Sequence, residues 1–419
     1  MNKAIVNKIL ITLVFLFLYR VLAYVPIPGV DLEVIKDFFR SAGNSQNVLG
    51  LFNMFSGHAV ERLSIISLGI MPYITASIVM ELLAATFPAL GKMKKERDGM
   101  QKFMQIVRYV TILVTIVQAV SVSFLLNNMA NGNAIMIDMQ AFVAIAIFSM
   151  LTGTMLLMWI GEQITQRGVG NGISLIIFSG IVSGIPSAIE GTFGLVNTGE
   201  ISYLVLIGIV VIILFTVFAI VYIELGERRI PISYARKVIM QNQNKRIMNY
   251  IPIKINLSGV IPPIFASALL VFPSTLLHAS SHDILREIAD FLSPDKYTYN
   301  ILMFFCVIFF AYFYASIAFN SKDIADNLKR QGGYIPGMRP GEGTVHFLNS
   351  VVGRITFFGA LYLAIISTLP WILVKSMGVP FHFGGTAVLI VVQVAIDTMR
   401  KIEAQIYMSR YQTLSAVGF

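Results

Sequence analysis

The sequence predicts an all-α polytopic membrane protein with ten transmembrane helices in two inverted five-helix halves, on three observations. The 419-residue chain is 56% apolar and only 13% charged, the balance of a chain with many membrane spans rather than of a soluble domain. Its apolar residues gather into ten runs, near 9–25, 64–84, 107–126, 141–161, 173–186, 203–224, 257–277, 301–319, 355–373 and 385–399, most of them near the ~20 residues that one crossing needs. Basic residues are skewed across those runs. Twenty-four of the 31 lysines and arginines share a side with the two termini and six lie on the other, so the positive-inside rule puts both termini in the cytoplasm. Ten spans divide into two sets of five, here 1–186 and 187–419. Five is odd, so the second set crosses in the opposite sense, the arrangement of an inverted repeat with its site between the halves.

The first run follows Lys3 and Lys8 as a signal peptide would. Tyr24-Val25-Pro26-Ile27-Pro28 is a poor cleavage site, so the run is expected to stay as a helix. Residues 26–63 form a long external segment that opens on Pro26-Ile27-Pro28-Gly29, a turn ending a helix. Inside it, residues 51–60 (LFNMFSGHAV) are apolar, broken by Ser56 and Gly57, and too short to cross a bilayer. They join Ile65 to Leu83, a span with Pro72 near its middle. A short apolar piece beside a proline-broken span reads as a re-entrant segment, tolerated at membrane depth only inside protein or against a cavity. This stretch is expected to line a pathway and to obstruct it.

Residues 88–108 form a basic internal loop around Lys92, Lys94, Lys95 and Arg97, read as a topology signal. The glycines of 168–172 do not make a phosphate loop, which needs a preceding strand and a Gly-Lys-Ser/Thr ending. The internal loops 227–256 and 320–354 are long and charged. They read either as a docking surface for a cytoplasmic partner, one carrying RNA phosphate included, or as solvated loops with topogenic lysines.

Charged residues in the runs, Arg20, Glu81, Glu162, Glu224 and Asp397, lie toward run ends. An ion-coupled transporter keeps such groups at mid-span. Thr75, Ser77, Thr111, Thr115, Gln118, Thr152, Thr154 and Thr216 are the polar mid-span groups, expected as interhelical hydrogen bonds. His278 and His282 lack a third ligand, and Cys306 is the single cysteine, so no metal site is expected. No nucleophile and base fall together in a recognisable pattern. Neither catalysis nor a cofactor is expected.

Several stretches resemble one family, the SecY family of channel subunits of the bacterial Sec protein translocase. They are VPIPGVD at 25–31, NMFSG at 53–57, GIMPYITASI at 69–78, TGTMLLMWIGEQIT at 152–165, RGVGNGIS at 167–174, ERRIPISYARK at 227–237, GVIPPIFAS at 259–267, DNLKRQGGYIPGMRPGEGT at 326–344 and VPFHFGGTAVLIVV at 379–392, in order along nearly the whole chain. The resemblance implies an hourglass pore clasped by the two halves. A plug of about 51–62 would fold back into it, with Phe52, Asn53, Met54, Phe55, Ser56 and Gly57 at its centre. It implies a constricting ring of Ile70, Ile74, Ile177, Ile264 and Ile390. Such a ring offers no group to coordinate an ion, so the closed constriction dewets.

The resemblance also implies a lateral gate between spans 2–3 and 7–8, carrying Thr75, Gln118, Asn256 and Phe272. Pro262, Pro263 and Pro273 in span 7 weaken its hydrogen-bond ladder, as a moving wall or as fixed kinks. Arg339 would couple to the SecA motor ATPase, with Arg228, Arg229, Lys245 and Arg246 as further contacts for SecA or the ribosome. Other implied partners are SecE and SecG, SecDF and YidC, unfolded preproteins with their signal sequences, and membrane lipids. The implied location is the bacterial inner (plasma) membrane. The rival reading is an inverted-repeat secondary transporter of small solutes.

Overall fold

The computed structural model describes residues 3–41, 53, 55–129, 135–199, 202–234, 249–278, 283–294, 296–377 and 385–416. Phe52, Met54, Lys245 and Arg246 lie outside the described residues, as does His282. Fifteen helices are described: α1 (Lys3–Leu22), α2 (Leu32–Ser41), α3 (Met71–Thr86), α4 (Pro88–Lys95), α5 (Arg97–Met129), α6 (Met139–Arg167), α7 (Gly172–Ser183), α8 (Ile185–Asn197), α9 (Tyr203–Leu225), α10 (Ile261–His278), α11 (Asp283–Phe291), α12 (Tyr297–Ala318), α13 (Ser321–Arg330), α14 (Glu342–Met377) and α15 (Gly385–Ala416). Every apolar run overlaps at least one of them. Among the described residues seven helices are long and apolar enough to cross a membrane, or eight if the pair α3 and α4, bent by 114°, counts as one span. The outward faces of α9 and α12 are paved with exposed Ile207, Leu214, Phe218, Phe305 and Phe309. Apolar surface on that scale needs a lipid solvent.

The helices outrun the apolar stretches that reveal them. Residues 88–108 are the helical hairpin α4–α5 rather than a loop, and α15 continues to Ala416. Hydropathy marks only the part of a helix that lipid or protein covers, whereas the backbone ladder continues into water. The boundary drawn at 186 between the halves falls inside α8.

Pro72 does not interrupt a span. Residues 61–70 form turns, α3 begins at Met71, and Pro72 sits in its first turn, where a missing N–H costs nothing. Pro262 and Pro263 likewise occupy the first turn of α10, and Pro273 is the proline inside that helix. The ladder of α10 is therefore weakened at one place. Five of the mid-span threonines also depart from expectation: Thr75, Thr111, Thr115, Thr152 and Thr216 each donate to the carbonyl four residues back in their own helix. A short hydroxyl reaches that carbonyl without help from a neighbour.

The internal loops pair with one another. Strand β1 (Glu227–Tyr234) runs antiparallel to β2 (Asn249–Lys254), and β3 (Gly333–Tyr334) adds to its other edge. Buried Ile230, Ile253, Ile335 and Leu348 give this sheet a small core of its own. The amphipathic α13, its start capped by the Asn320 side chain, leads into β3. A single large apolar cluster fills the bundle and takes residues from α1, α3, α5, α6, α7, α10, α12, α14 and α15.

Candidate functional site

The stretch after α1 is closed at its base by short backbone pairing. Ile27 donates to the Leu63 carbonyl (2.9 Å) and Ile65 to that of Val25 (3.0 Å). The chain from Pro28 to Arg62 is thereby an excursion whose two ends meet. Its last part turns into the bundle. Phe55, Ser56, Ala59 and Val60 are almost wholly buried, although residues 53, 55 and 56 make only one helical turn.

Residues of α1 and α7 hold that turn. The Tyr19 hydroxyl donates to the Ser56 carbonyl at 2.9 Å. Arg20 donates through Nη1 to the Gly57 carbonyl (2.7 Å) and to Ser183 Oγ (3.0 Å), and its guanidinium lies 5.3 Å from the Tyr24 ring centre. Gly57 has φ +71°, and a Cβ there would come within 2.8 Å of Tyr19 Oη and 3.0 Å of Gly180 Cα. Gly180 of α7 offers the reciprocal fit, since its Cβ would meet the Phe55 carbonyl oxygen at 3.0 Å. Two glycines thus let the re-entrant turn and α7 touch backbone to backbone.

Behind this seat lies a polar clasp that the sequence reading missed. Asn53 Nδ2 donates to Glu61 Oε1 at 2.8 Å, the Glu61 amide donates to Asn53 Oδ1 at 3.3 Å, and the His58 ring sits 3.2 Å from Glu61 Oε1. Burial pushes the Glu61 carboxyl up, but His58, Asn53 and Arg62 together outweigh it and hold it below its usual range. His58 adopts φ +64°, and the hydrogen bond from its amide to the Asn53 carbonyl (2.8 Å) ties it in place. The polar pair Asn53 and Glu61, flanking Phe55 to Val60, was the available sequence signal.

The five candidate ring isoleucines come from five different places and reach one cluster. Ile70 stands immediately before α3 and Ile74 is in its first turn; Ile177 is on α7, Ile264 on α10 and Ile390 on α15. All are at most 7% exposed, and all share the central apolar cluster with Phe55, Ala59 and Val60 of the re-entrant turn. The turn and the five isoleucines therefore form one continuous apolar mass, with no carboxylate, lysine, arginine or histidine among its described members.

Of the candidate gate residues, Thr75 lies on α3, Gln118 on α5 and Phe272 on α10, and α10 packs against both α3 and α5. Gln118 is 2% exposed, and its Oε1 has no partner among the described residues; neither has Ser274 Oγ on α10. Asn256 is placed differently. It lies before α10, where its Nδ2 donates to Glu224 Oε1 (2.6 Å) and to the Gly259 carbonyl (3.1 Å), while its Oδ1 accepts from the Gly259 amide (3.0 Å) and Ser258 Oγ (3.2 Å). It staples the start of α10 to the end of α9.

The charged run-end residues find partners rather than a relay. Arg108 of α5 makes a two-pronged bond to Glu162 of α6 (2.7 and 2.8 Å). Lys94 lies 3.6 Å from Glu81, and Lys254 is 3.9 Å from Asp397. At the sheet, Arg228 and Arg229 of β1 are exposed. Arg229 pairs with Glu227 at 2.6 Å and stacks 4.9 Å from the Tyr250 ring centre. Arg339 is exposed in the turn between β3 and α14. The glycine-rich link between α6 and α7 is a tight reversal: Asn171 caps α7, Thr165 Oγ1 accepts from the Gly172 amide (2.9 Å), and Gly172 abuts the Gly161 backbone.

Known proteins are similar to this chain in sequence and in fold. The SecY family model matches residues 64–399. The protein translocase subunit SecY of Helicobacter pylori is 78% identical over the whole of both chains. A solved protein-conducting channel superposes with a TM-score of 0.66 at 20% identity, over 96% of this chain and 93% of that one. Sec61 in the canine ribosome–channel complex superposes with a TM-score of 0.65 at 19% identity, over the same shares. With four-fifths of its length matched by the family model and a full-length relative at this identity, the chain belongs to the SecY family.

Proposed function

We propose that this chain conducts unfolded proteins through the centre of its helix bundle and releases apolar segments sideways between α3/α5 and α10/α12. Family membership makes it a protein-translocation channel subunit and removes the small-solute transporter as a reading. The finer assignment is ours. It rests on one observation above all: a re-entrant turn with a glycine seat lies in the same apolar mass as isoleucines from α3, α7, α10 and α15. In that reading about 51–62 is the plug, and Ile70, Ile74, Ile177, Ile264 and Ile390 are the seal. Ten spans in inverted halves are the architecture that would support it.

The chemistry of such a site is exclusion followed by accommodation. Branched aliphatic side chains make no bond to water or ions, so the closed site dewets. They also pack around any passing side chain without specific contacts. The seam between α10 and its neighbours carries Gln118 and Ser274 with unpartnered atoms. An unmade buried hydrogen bond costs about 1–3 kcal/mol, a cost that the closed seam bears and that parting would relieve by admitting water or substrate to those two atoms.

Energy comes from outside the chain. SecA or a translating ribosome would dock on the β1–β2–β3 sheet, with Arg228, Arg229 and Arg339 presenting exposed positive charge. SecE and SecG would flank the bundle in the inner membrane, with both termini cytoplasmic.

The test is a crosslink. In a Cys306→Ser background, a cysteine at Ile264 or Ile390 is paired with one cysteine in a secretory chain stalled in transit. A disulfide that needs SecA and ATP, absent at the lipid-facing control Phe305, is expected. Failure at all five isoleucines while the chain still crosses would overturn the ring assignment.

A further inference from the structure

We infer that α11, the short helix following α10, is a membrane-surface helix whose uncovered apolar flank lies in the lipid leaflet at the end of the bundle opposite the β-sheet. Its sequence, DILREIADF, divides into two arcs at helical spacing. Asp283, Arg286, Glu287 and Asp290 occupy one arc; Ile284, Leu285, Ile288, Ala289 and Phe291 occupy the other. The apolar arc is wider than the protein beneath it. Ala289 is fully buried and Leu285 half-buried where α11 packs on α10. On the adjoining flank Ile284, Ile288 and Phe291 are 73%, 46% and 56% exposed.

Three observations identify lipid as what covers that flank. First, it continues into a face that lipid already covers. Tyr297, Ile301 and Phe305, all exposed, run along α12 directly after it. Second, the junction is tied by hydrogen bonds: Thr298 Oγ1 donates to the Phe291 carbonyl (2.5 Å), Asn300 Nδ2 to that of Pro294 (3.2 Å) and the Lys296 amide to that of Ser293 (3.0 Å). The end of α11 is thereby linked to the start of α12. Third, the level is marked. Tyr297 and Trp371 meet edge to face, ring centres 4.7 Å apart, at the start of α12 and near the end of α14. Aromatic residues with a polar tip collect at the boundary between headgroups and hydrocarbon.

A helix at that level, charged arc toward water and apolar arc split between protein and lipid, is an interfacial helix. Three acidic positions against one arginine mean that its seating depends on apolar area and not on anionic headgroups. Because α11 packs on α10, the bilayer surface would hold the outer end of that helix. Only this last consequence rests on the channel reading; the depth of α11 is measurable without it.

The test is site-directed spin labelling of the full chain in phosphatidylcholine bilayers, in a Cys306→Ser background. The labelled positions are Ile288→Cys and Glu287→Cys, both exposed, so the label disturbs no packing. At 288, collision with oxygen is expected to exceed collision with a water-soluble nickel chelate, as at Phe305→Cys; at 287 the order is expected to reverse. Adding phosphatidylglycerol should leave both unchanged. A nickel-accessible label at 288 would place the flank in water, and a label shielded from both reagents would mean that protein covers it. Either result overturns the inference, as does a strong dependence on anionic lipid.

Discussion

Replacing Gly57 with alanine should unseat the re-entrant turn without unfolding the bundle. The position has φ +71°, and a left-handed backbone costs a residue with a Cβ roughly 1–2 kcal/mol. The added methyl would also crowd the Tyr19 hydroxyl at 2.8 Å and the Gly180 backbone at 3.0 Å. Overpacking of this kind costs about 1–3 kcal/mol. Together these are worth about 2–5 kcal/mol against the seated state, a shift of about 30- to 5,000-fold in its ratio to the displaced one. The strain is relieved when the turn leaves, so the loss falls on closure and not on folding. The assay is ion flux from proteoliposomes containing the purified chain with no translocating substrate. Gly191→Ala is the control, since a Cβ there meets nothing within 4 Å. The variant should leak where wild type and control do not. Equal tightness in a folded Gly57→Ala protein would refute the glycine seat, and with it the claim that this turn closes the channel.

Two further outcomes follow from the polar contacts. Asn256→Ala leaves the buried Glu224 carboxyl group and the Gly259 amide without their partner, and a buried polar group left unpaired costs about 1–3 kcal/mol; the detergent-solubilised variant should melt at a lower temperature, and an unchanged melting curve would show that this contact does not staple α9 to α10. Glu61, outside the spanning helices, is held below its usual range by His58, Asn53 and Arg62 against the opposing effect of burial. Its contribution to seating is therefore present above the ordinary glutamate range and is lost as pH falls through the depressed value. Leak from wild-type vesicles should appear only below the ordinary range, whereas Glu61→Gln should leak alike at all pH values; the same acid onset in that variant would assign the effect to another group.

What the sequence determined by itself is what a bilayer imposes. Hydrocarbon demands long apolar runs, and the translocation machinery sorts lysine and arginine to one side. Composition therefore revealed the membrane-length apolar helices and the lack of mid-span charge before any packing was known. The ordered motifs from Pro26 to Val392 added the family. Residues 51–60 betrayed a fold-back, because ten apolar residues broken by Ser56 and Gly57 cannot cross.

Tertiary structure decided everything that depends on partners distant in sequence. Pro72 reads as a break within a run, yet the fold starts α3 at Met71, so the proline becomes a helix opener. The threonines read as links between helices, but five of the six bond the backbone of their own helix. Strand pairing between 227–234, 249–254 and 333–334 was hidden, because these short strands, the third about a hundred residues beyond the first, each leave only a weak period-two alternation. The glycine seat was hidden most of all. Gly57 and Gly180 touch because α1 and α7 bring Tyr19, Arg20 and Ser183 around them, and a glycine carries no side chain by which a sequence could announce what it will lie against.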